Sequence, residues 1–188
     1  MRKLIYSMSV SLDGFIAGSG GEIDWSVPDD ELFRFHTEQV RELGGHLLGR
    51  RLYETMVYWE TAEEQPSLPE PEREFARIWK ELPKVVFSRT LGSARWSNTR
   101  LVRGDMAAAI RTAKAESGKQ MAILGSGSVV SQLAQDGLID EYQIVVNPVV
   151  LGSGRTLFDG IRRQLTLRLS KTRTFGNGKV LLCYETGA

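Results

Sequence analysis

Apolar and polar positions alternate along the chain in two periods, and the two periods take turns. Residues 4–10, Leu4-Ile5-Tyr6-Ser7-Met8-Ser9-Val10, read as a first strand that breaks at Asp13-Gly14, after which Gly18 to Gly21 opens a loop. Pro28-Asp29-Asp30 marks a helix start, with acidic residues at the positive end of the helix dipole, and Leu32, Phe33, His36, Val40 and Leu43 give that helix one apolar face ended by Gly44-Gly45. The run His46-Leu47-Leu48 stops at Gly49, and residues 50–58 read as a helix. Residues 61–71 are polar and rich in Pro and Glu, the one candidate for a mobile loop, and a short helix is expected at 75–82. Strands follow at 84–88, 99–102 and 120–124, with helices at 105–116 and 129–134. Residues 141–150 are β-branched and apolar, and 165–175 with 179–185 form a hairpin about Gly176-Asn177-Gly178. This order predicts an α/β fold of three αβα layers, a largely parallel mixed sheet with a C-terminal antiparallel hairpin, in one domain spanning 1–188.

Composition narrows the function. The chain has 188 residues with 24 basic and 23 acidic side chains, a formal charge of +1, so it lacks the electrostatic footprint of a nucleic-acid binder. No apolar run reaches membrane-spanning length, and the N-terminus lacks the layout of a signal peptide, so the expected location is the cytoplasm. The single cysteine, Cys183 between Leu182 and Tyr184, reads as a buried strand residue. With two histidines, His36 and His46, no metal site is expected, and a zinc deaminase, a Gly-x-Ser-x-Gly hydrolase and a Walker-type nucleotidase lack their parts.

Ligands of such sheets sit beyond the carboxyl ends of the strands. Three ends carry candidates. At Leu48-Gly49-Arg50-Arg51-Leu52 a strand meets a helix start, with two arginines supplying forked donors for phosphate. Leu124-Gly125-Ser126-Gly127-Ser128 repeats the strand-to-helix turn, and glycine there permits close approach of a pyrophosphate. Ser88-Arg89 ends a third apolar strand. Each has a plain structural reading as a solvated turn or strand end. Near Trp25, a carboxylate at Asp29 or Asp30 either caps the following helix or enters a partly apolar cleft suited to proton handling.

Taken in order, these segments resemble the dihydrofolate reductase-like superfamily, and more closely the C-terminal reductase domain of the bifunctional riboflavin-biosynthesis deaminase-reductase. The resemblance is carried by Ser11-Leu12-Asp13-Gly14-Phe15-Ile16-Ala17, Leu48-Gly49-Arg50, Leu124-Gly125-Ser126-Gly127, Leu138-Ile139-Asp140-Glu141 and Pro148-Val149-Val150-Leu151-Gly152-Ser153-Gly154. It implies an NADPH-dependent reductase of a small, heterocyclic substrate, of the type that reduces 5-amino-6-(5-phosphoribosylamino)uracil. It places Gly49, Arg50, Arg51 and Leu52 at the adenosine-side phosphates, Ser88 and Arg89 at the 2′-phosphate and ribose, Gly125, Ser126, Gly127, Ser128 and Val129 at the pyrophosphate, and Ile16 and Ala17 near the nicotinamide. Through the shared pattern Trp-x-x-Pro-x-Asp, Asp30 aligns with a catalytic, substrate-binding carboxylate, with Trp25 and Phe33 lining the same cleft. Two other readings stay open, a dihydrofolate reductase proper and a nucleotide-binding protein without catalysis. Related domains pair, which implies a homodimer; a monomer by light scattering would contradict it.

Overall fold

A computed structural model of the chain describes residues 1–125 and 128–187. Its elements in chain order are strands β1 (Leu4–Ser11) and β2 (Phe15–Ala17), helix α1 (Asp30–Arg41), strand β3 (Gly45–Gly49), helices α2 (Arg50–Met56), α3 (Tyr58–Thr61) and α4 (Glu70–Glu81), strands β4 (Lys84–Phe87) and β5 (Thr99–Val102), helix α5 (Met106–Ala115), strand β6 (Met121–Leu124), helix α6 (Ser128–Gln135), and strands β7 (Glu141–Asn147), β8 (Arg155–Thr156), β9 (Leu167–Thr174) and β10 (Val180–Thr186). The fold class matches the pattern: a mostly parallel mixed sheet with helices on both faces and antiparallel strands at the C-terminus.

Several boundaries differ from the sequence pattern. Helix α1 ends at Arg41 rather than at Gly44-Gly45, because Gly45 already pairs with Met121 as the first residue of β3. Gly44 is needed for closeness instead, since a Cβ there would stand 2.9 Å from the Lys119 carbonyl. The helix expected at 75–82 starts at Glu70, five residues earlier, because Pro71 falls in the first turn, where no backbone N–H is required. The helix expected at 50–58 divides at Val57 into α2 and α3. The stretch 61–71 is not an open loop: Ala62–Glu64 forms a 3-10 turn, and Ala62, Leu68 and Ala76 bury together. β7 stops at Asn147, ahead of Pro148, which has no N–H to give the ladder. The three-residue β2 and two-residue β8 were too short to signal themselves.

Two compact units share the chain, Met1–Arg2 with Phe33–Leu124, and Lys3–Leu32 with Gly125–Ala188. In the first, four parallel strands run in the order β5-β4-β3-β6, with Gly49 beside Phe87 and Leu48 beside Leu124. α4 buries Phe75, Ala76 and Trp79 on one stripe. Phe75 and Trp79 join Leu48, Tyr53, Val86 and Trp96 in an aromatic core, in which Tyr53 and Trp96 stack at 4.2 Å and Phe75 and Trp79 at 5.9 Å. A charge is sealed inside it. Lys84 is 1% exposed; its Nζ donates to the Leu82 carbonyl at 3.1 Å, lies 3.4 Å from Glu60 Oε1, and sits 5.5 Å from the Trp79 ring centre. Burial lowers the pKa of this ammonium, against the pull of Glu60.

In the second unit β7 lies between β1, parallel to it, and β10, antiparallel to it, and β9 flanks β10. The apolar segment 141–150 therefore supplies an interior strand. Tyr6 and Tyr142 meet edge to face at 6.0 Å, and burial pushes Tyr142 up to about 12. Cys183 is buried in β10 as expected, and burial raises its thiol pKa. Among the described residues no helix is long and apolar enough to cross a membrane.

Candidate functional site

In the first unit the parallel pairing of β3 and β4 makes both strands end on one rim. Gly49 caps α2 with an extended backbone and no side-chain acceptor for the helix N–H groups, and a Cβ built on it would meet nothing within 4 Å. The space in front of this strand end is open. Arg50 donates from Nη1 to Thr90 Oγ1 at 2.9 Å and from Nε to Glu54 Oε1 at 2.8 Å. The first bond ties the β3–α2 turn to the turn after β4. That second turn is shaped by Ser88, whose Oγ accepts from the N–H groups of Thr90 at 3.2 Å and Leu91 at 3.0 Å. Arg51 and Arg89 are exposed on the same two turns. Chemically this is a rim with three guanidiniums and a free strand end, suited to phosphate oxygens. Leu52 differs from its neighbours: it is half-buried and packs on the aromatic core with Phe33 and Met56. Phe33 rests 6.3 Å from Trp59 and 5.6 Å from Phe75, ring centre to ring centre.

In the second unit Gly125 follows β6 with φ +113°, a conformation that favours glycine. Ser126 and Gly127 lie outside the described residues, as does the Ser128 side chain; Val129, in α6, is half-buried. Ile16 and Ala17 are buried in β2, 3% and 6% exposed, so they can offer a ligand mainly backbone. β2 pairs with β8, Ala17 opposite Arg155. The close approach depends on Gly154, since a Cβ there would collide with the Ala17 carbonyl. Asp13 fastens the arrangement: its carboxylate accepts from Ser11 Oγ at 2.7 Å and from the N–H groups of Gly152 at 2.8 Å and Leu151 at 3.1 Å. These bonds, the Ser11 hydroxyl first, hold the Asp13 carboxyl below the ordinary carboxylate range. Beside it, Gly18, Ser19, Gly20, Gly21, Gly154 and Arg155 line an open cleft of about 450 Å³.

The segment before α1 carries the carboxylates. Trp25 sits half-buried in a 3-10 turn and donates its indole N–H to the Glu22 carbonyl at 3.1 Å. Asp29 is the cap of α1, Oδ1 accepting from Leu32 N at 2.9 Å. Asp30 is the first helical residue and is exposed.

Within the first unit, then, Gly49–Leu52 and Ser88–Arg89 come together; within the second, Trp25 and Asp30 flank Pro28. Thr90 and Arg155 were not singled out from the sequence, and Asp13 was read only as a turn residue and a member of the opening motif. Apart from Ser11, beside Asp13, their partners stand 40 or more residues away, or across a two-residue strand, and leave no periodic trace.

The model of the RibD C-terminal domain family matches residues 2–181. The uncharacterized protein YyaP of Bacillus subtilis strain 168 is 29% identical over 184 residues, covering 98% of this chain and 95% of the relative. A putative riboflavin biosynthesis protein from Shewanella sp. PV-4 superposes with a TM-score of 0.75 at 22% identity, covering all of both chains. The diaminohydroxyphosphoribosylaminopyrimidine deaminase/5-amino-6-(5-phosphoribosylamino)uracil reductase of Thermotoga maritima superposes with a TM-score of 0.72 at 14% identity, covering 99% of this chain and 57% of that one. With the family model spanning nearly the whole chain, the protein belongs to the RibD C-terminal domain family.

Proposed function

We propose that the protein is an NADPH-dependent reductase of a small heterocyclic substrate of the riboflavin-pathway type, working in the cytoplasm as a homodimer. The observation that carries this reading is the Arg50–Thr90 hydrogen bond, which holds the Gly49–Arg51 turn against the Ser88–Arg89 turn. Three arginines on two joined turns suit a ligand with more than one phosphate group, and Arg89 beside Ser88 suits a 2′-phosphate over a free 2′-hydroxyl. Family membership supports the same reading and weighs toward an aminopyrimidine over a folate. When bound, the nicotinamide would supply the hydride. The chain's part is to hold and orient. Arg50, Arg51 and Arg89 would neutralise phosphate; Gly125, Ser126, Gly127, Ser128 and Val129 would receive the pyrophosphate; Ile16 and Ala17 would offer a close backbone wall to the ring. On the substrate side, Trp25 and Phe33 would supply apolar surface, and Asp30 would orient the polar edge of the heterocycle or assist its protonation.

The reaction is tested by following NADPH oxidation against a panel of aminopyrimidines and cyclic imines. Turnover of one class, reduced about 100-fold in Asp30→Asn with cofactor affinity kept, is the expected result. Full turnover in that variant would remove Asp30 from the chemistry.

A further inference from the structure

The start of α1 is held by residues from the other end of the chain. The turn between β9 and β10 is closed on itself: Phe175 N donates to the Lys179 carbonyl at 2.9 Å, Gly178 N to the Phe175 carbonyl at 3.0 Å, and Lys179 N to Asn177 Oδ1 at 3.1 Å. Out of this turn Lys179 reaches back, 7% exposed, and donates from Nζ to the Val27 carbonyl at 2.7 Å. Burial pulls its pKa below the ordinary lysine range, and the Asp29 carboxylate works against that shift. The other side of the helix start is gripped as well. Glu31 accepts from Gly176 N at 2.9 Å on Oε2 and from Arg173 Nη2 at 3.2 Å on Oε1, so both of its oxygens belong to the hairpin. Arg173 is itself steadied over the Phe175 ring, 4.8 Å from its centre. The Gly176 N–H first, then Arg173, hold the Glu31 carboxyl below its ordinary range. Asp30 thus stands between Asp29, fixed as the helix cap, and Glu31, fixed to the hairpin, two residues past Pro28 and three past the carbonyl that Lys179 binds.

We propose that the end of the β9–β10 hairpin is the positioning device for Asp30, with Lys179 and Glu31 as the positioning residues. This rests on the reading of Asp30 as the substrate-side carboxylate. A helix that starts at an exposed chain segment frays at its first turn. Here two anchors, one on each side of Asp30, remove that freedom before a substrate arrives, which is what a positioned acid or base requires. The anchors differ in their response to pH. The Glu31 clamp is whole above the ordinary carboxylate range and is released as pH falls through its lowered pKa. The charged groups facing the anchors are Asp29 toward Lys179, and toward Glu31 both Arg173, which favours its charged form, and Asp29, which opposes it.

The test compares the intact protein with Lys179→Met, Lys179→Arg and Glu31→Gln, labelled with 15N and 13C-aspartate, by NMR, with NADPH titrated into each. Both Lys179→Met and Glu31→Gln should move the amide and carboxyl-carbon signals of Asp30 and speed exchange of amides 30–33 by about 10-fold or more. Lys179→Arg, which keeps a donor for the Val27 carbonyl, should restore the wild-type signals. As the wild type is acidified through the Glu31 titration, protection of amides 30–33 should fall by a step that is missing in Glu31→Gln, a response that a merely space-filling role would not give. Asp30 signals unchanged in both variants overturn the proposal. The NADPH titration separates the two claims. No nucleotide binding with Asp30 displaced sinks the cofactor reading and leaves the positioning intact; binding with Asp30 unmoved does the reverse.

Discussion

His46 sits 1% exposed in β3, 5.1 Å from the Trp79 ring, and neither ring nitrogen finds a hydrogen-bond partner among the described residues. Burial, with the nearby Lys84 charge adding to it, takes its pKa down to about 3 from 6.5. The imidazole is therefore neutral in the fold, and an unfolded chain takes up a proton that the folded one refuses. Because the folded pKa is depressed, stability is full above the unfolded value and is lost as pH falls toward the folded one. Urea unfolding should show stability declining below about pH 6.5 with a slope approaching 1.4 kcal/mol per pH unit from this one group. The slope should shrink by that amount in His46→Leu, and an identical slope in the variant would show that His46 is not the proton acceptor. Little of this was visible in the sequence, where His46 reads only as part of an apolar run. The arginines were visible because strand ends announce themselves: Arg50, Arg51 and Arg89 each follow an apolar run that stops. Lys179 was not, since its carbonyl partner lies 152 positions away and nothing local marks it.

Among the elements, the insertion between α2 and β4 departs most from its sequence pattern. Its polar, proline-rich composition reads as loop, yet a single side chain gathers it. Arg73 in α4 donates to the carbonyls of Glu63 at 2.7 Å, Gln65 at 3.1 Å and Leu68 at 3.2 Å, while Leu68 buries with Ala62 and Ala76. Arginine can do this because its donors fan out in one plane; composition alone conceals it. Arg73→Ala should cost about 1–3 kcal/mol, read as a lower urea midpoint, with faster hydrogen exchange at 62–69. Unchanged exchange there would mean that the apolar contacts suffice without the guanidinium. The exposed ion pair of Arg77 with Glu70 in the same segment, at 3.2 Å, adds little. Most of the regular strands were readable as short apolar runs between turn residues, and the polar, exposed β9 was readable from the Gly176-Asn177-Gly178 turn that follows it; β2 and β8 meet through the close approach at Gly154 and the Asp13 clamp, which leave no such run.

For the molecule as a whole, the alternation of strand and helix was enough to foresee the largely parallel sheet with its antiparallel end. The division of the chain into two compact units was not, because one boundary falls inside α1, between Leu32 and Phe33, where the helical period runs on uninterrupted, and another between Leu124 and Gly125, at a strand-to-helix turn like the others. If residues 1–188 form one cooperative domain, denaturation should give coincident midpoints for tryptophan fluorescence, which reports mainly Trp59, Trp79 and Trp96 of the first unit, and for labelling of the buried Cys183 thiol in the second. Separate midpoints would show two domains.

The central claim is that the joined turns at Gly49–Arg51 and Ser88–Arg89 bind NADPH, and fluorescence titration with NADPH and with NADH tests it most directly. Saturable quenching by NADPH is predicted, weaker for NADH by about 10-fold or more, the worth of one or two charge-assisted hydrogen bonds. The quenching should be lost in the Arg50→Ala, Arg89→Ala double variant. Equal affinity for the two nucleotides would contradict the assignment of the 2′-phosphate. No binding of either would contradict the reductase reading itself.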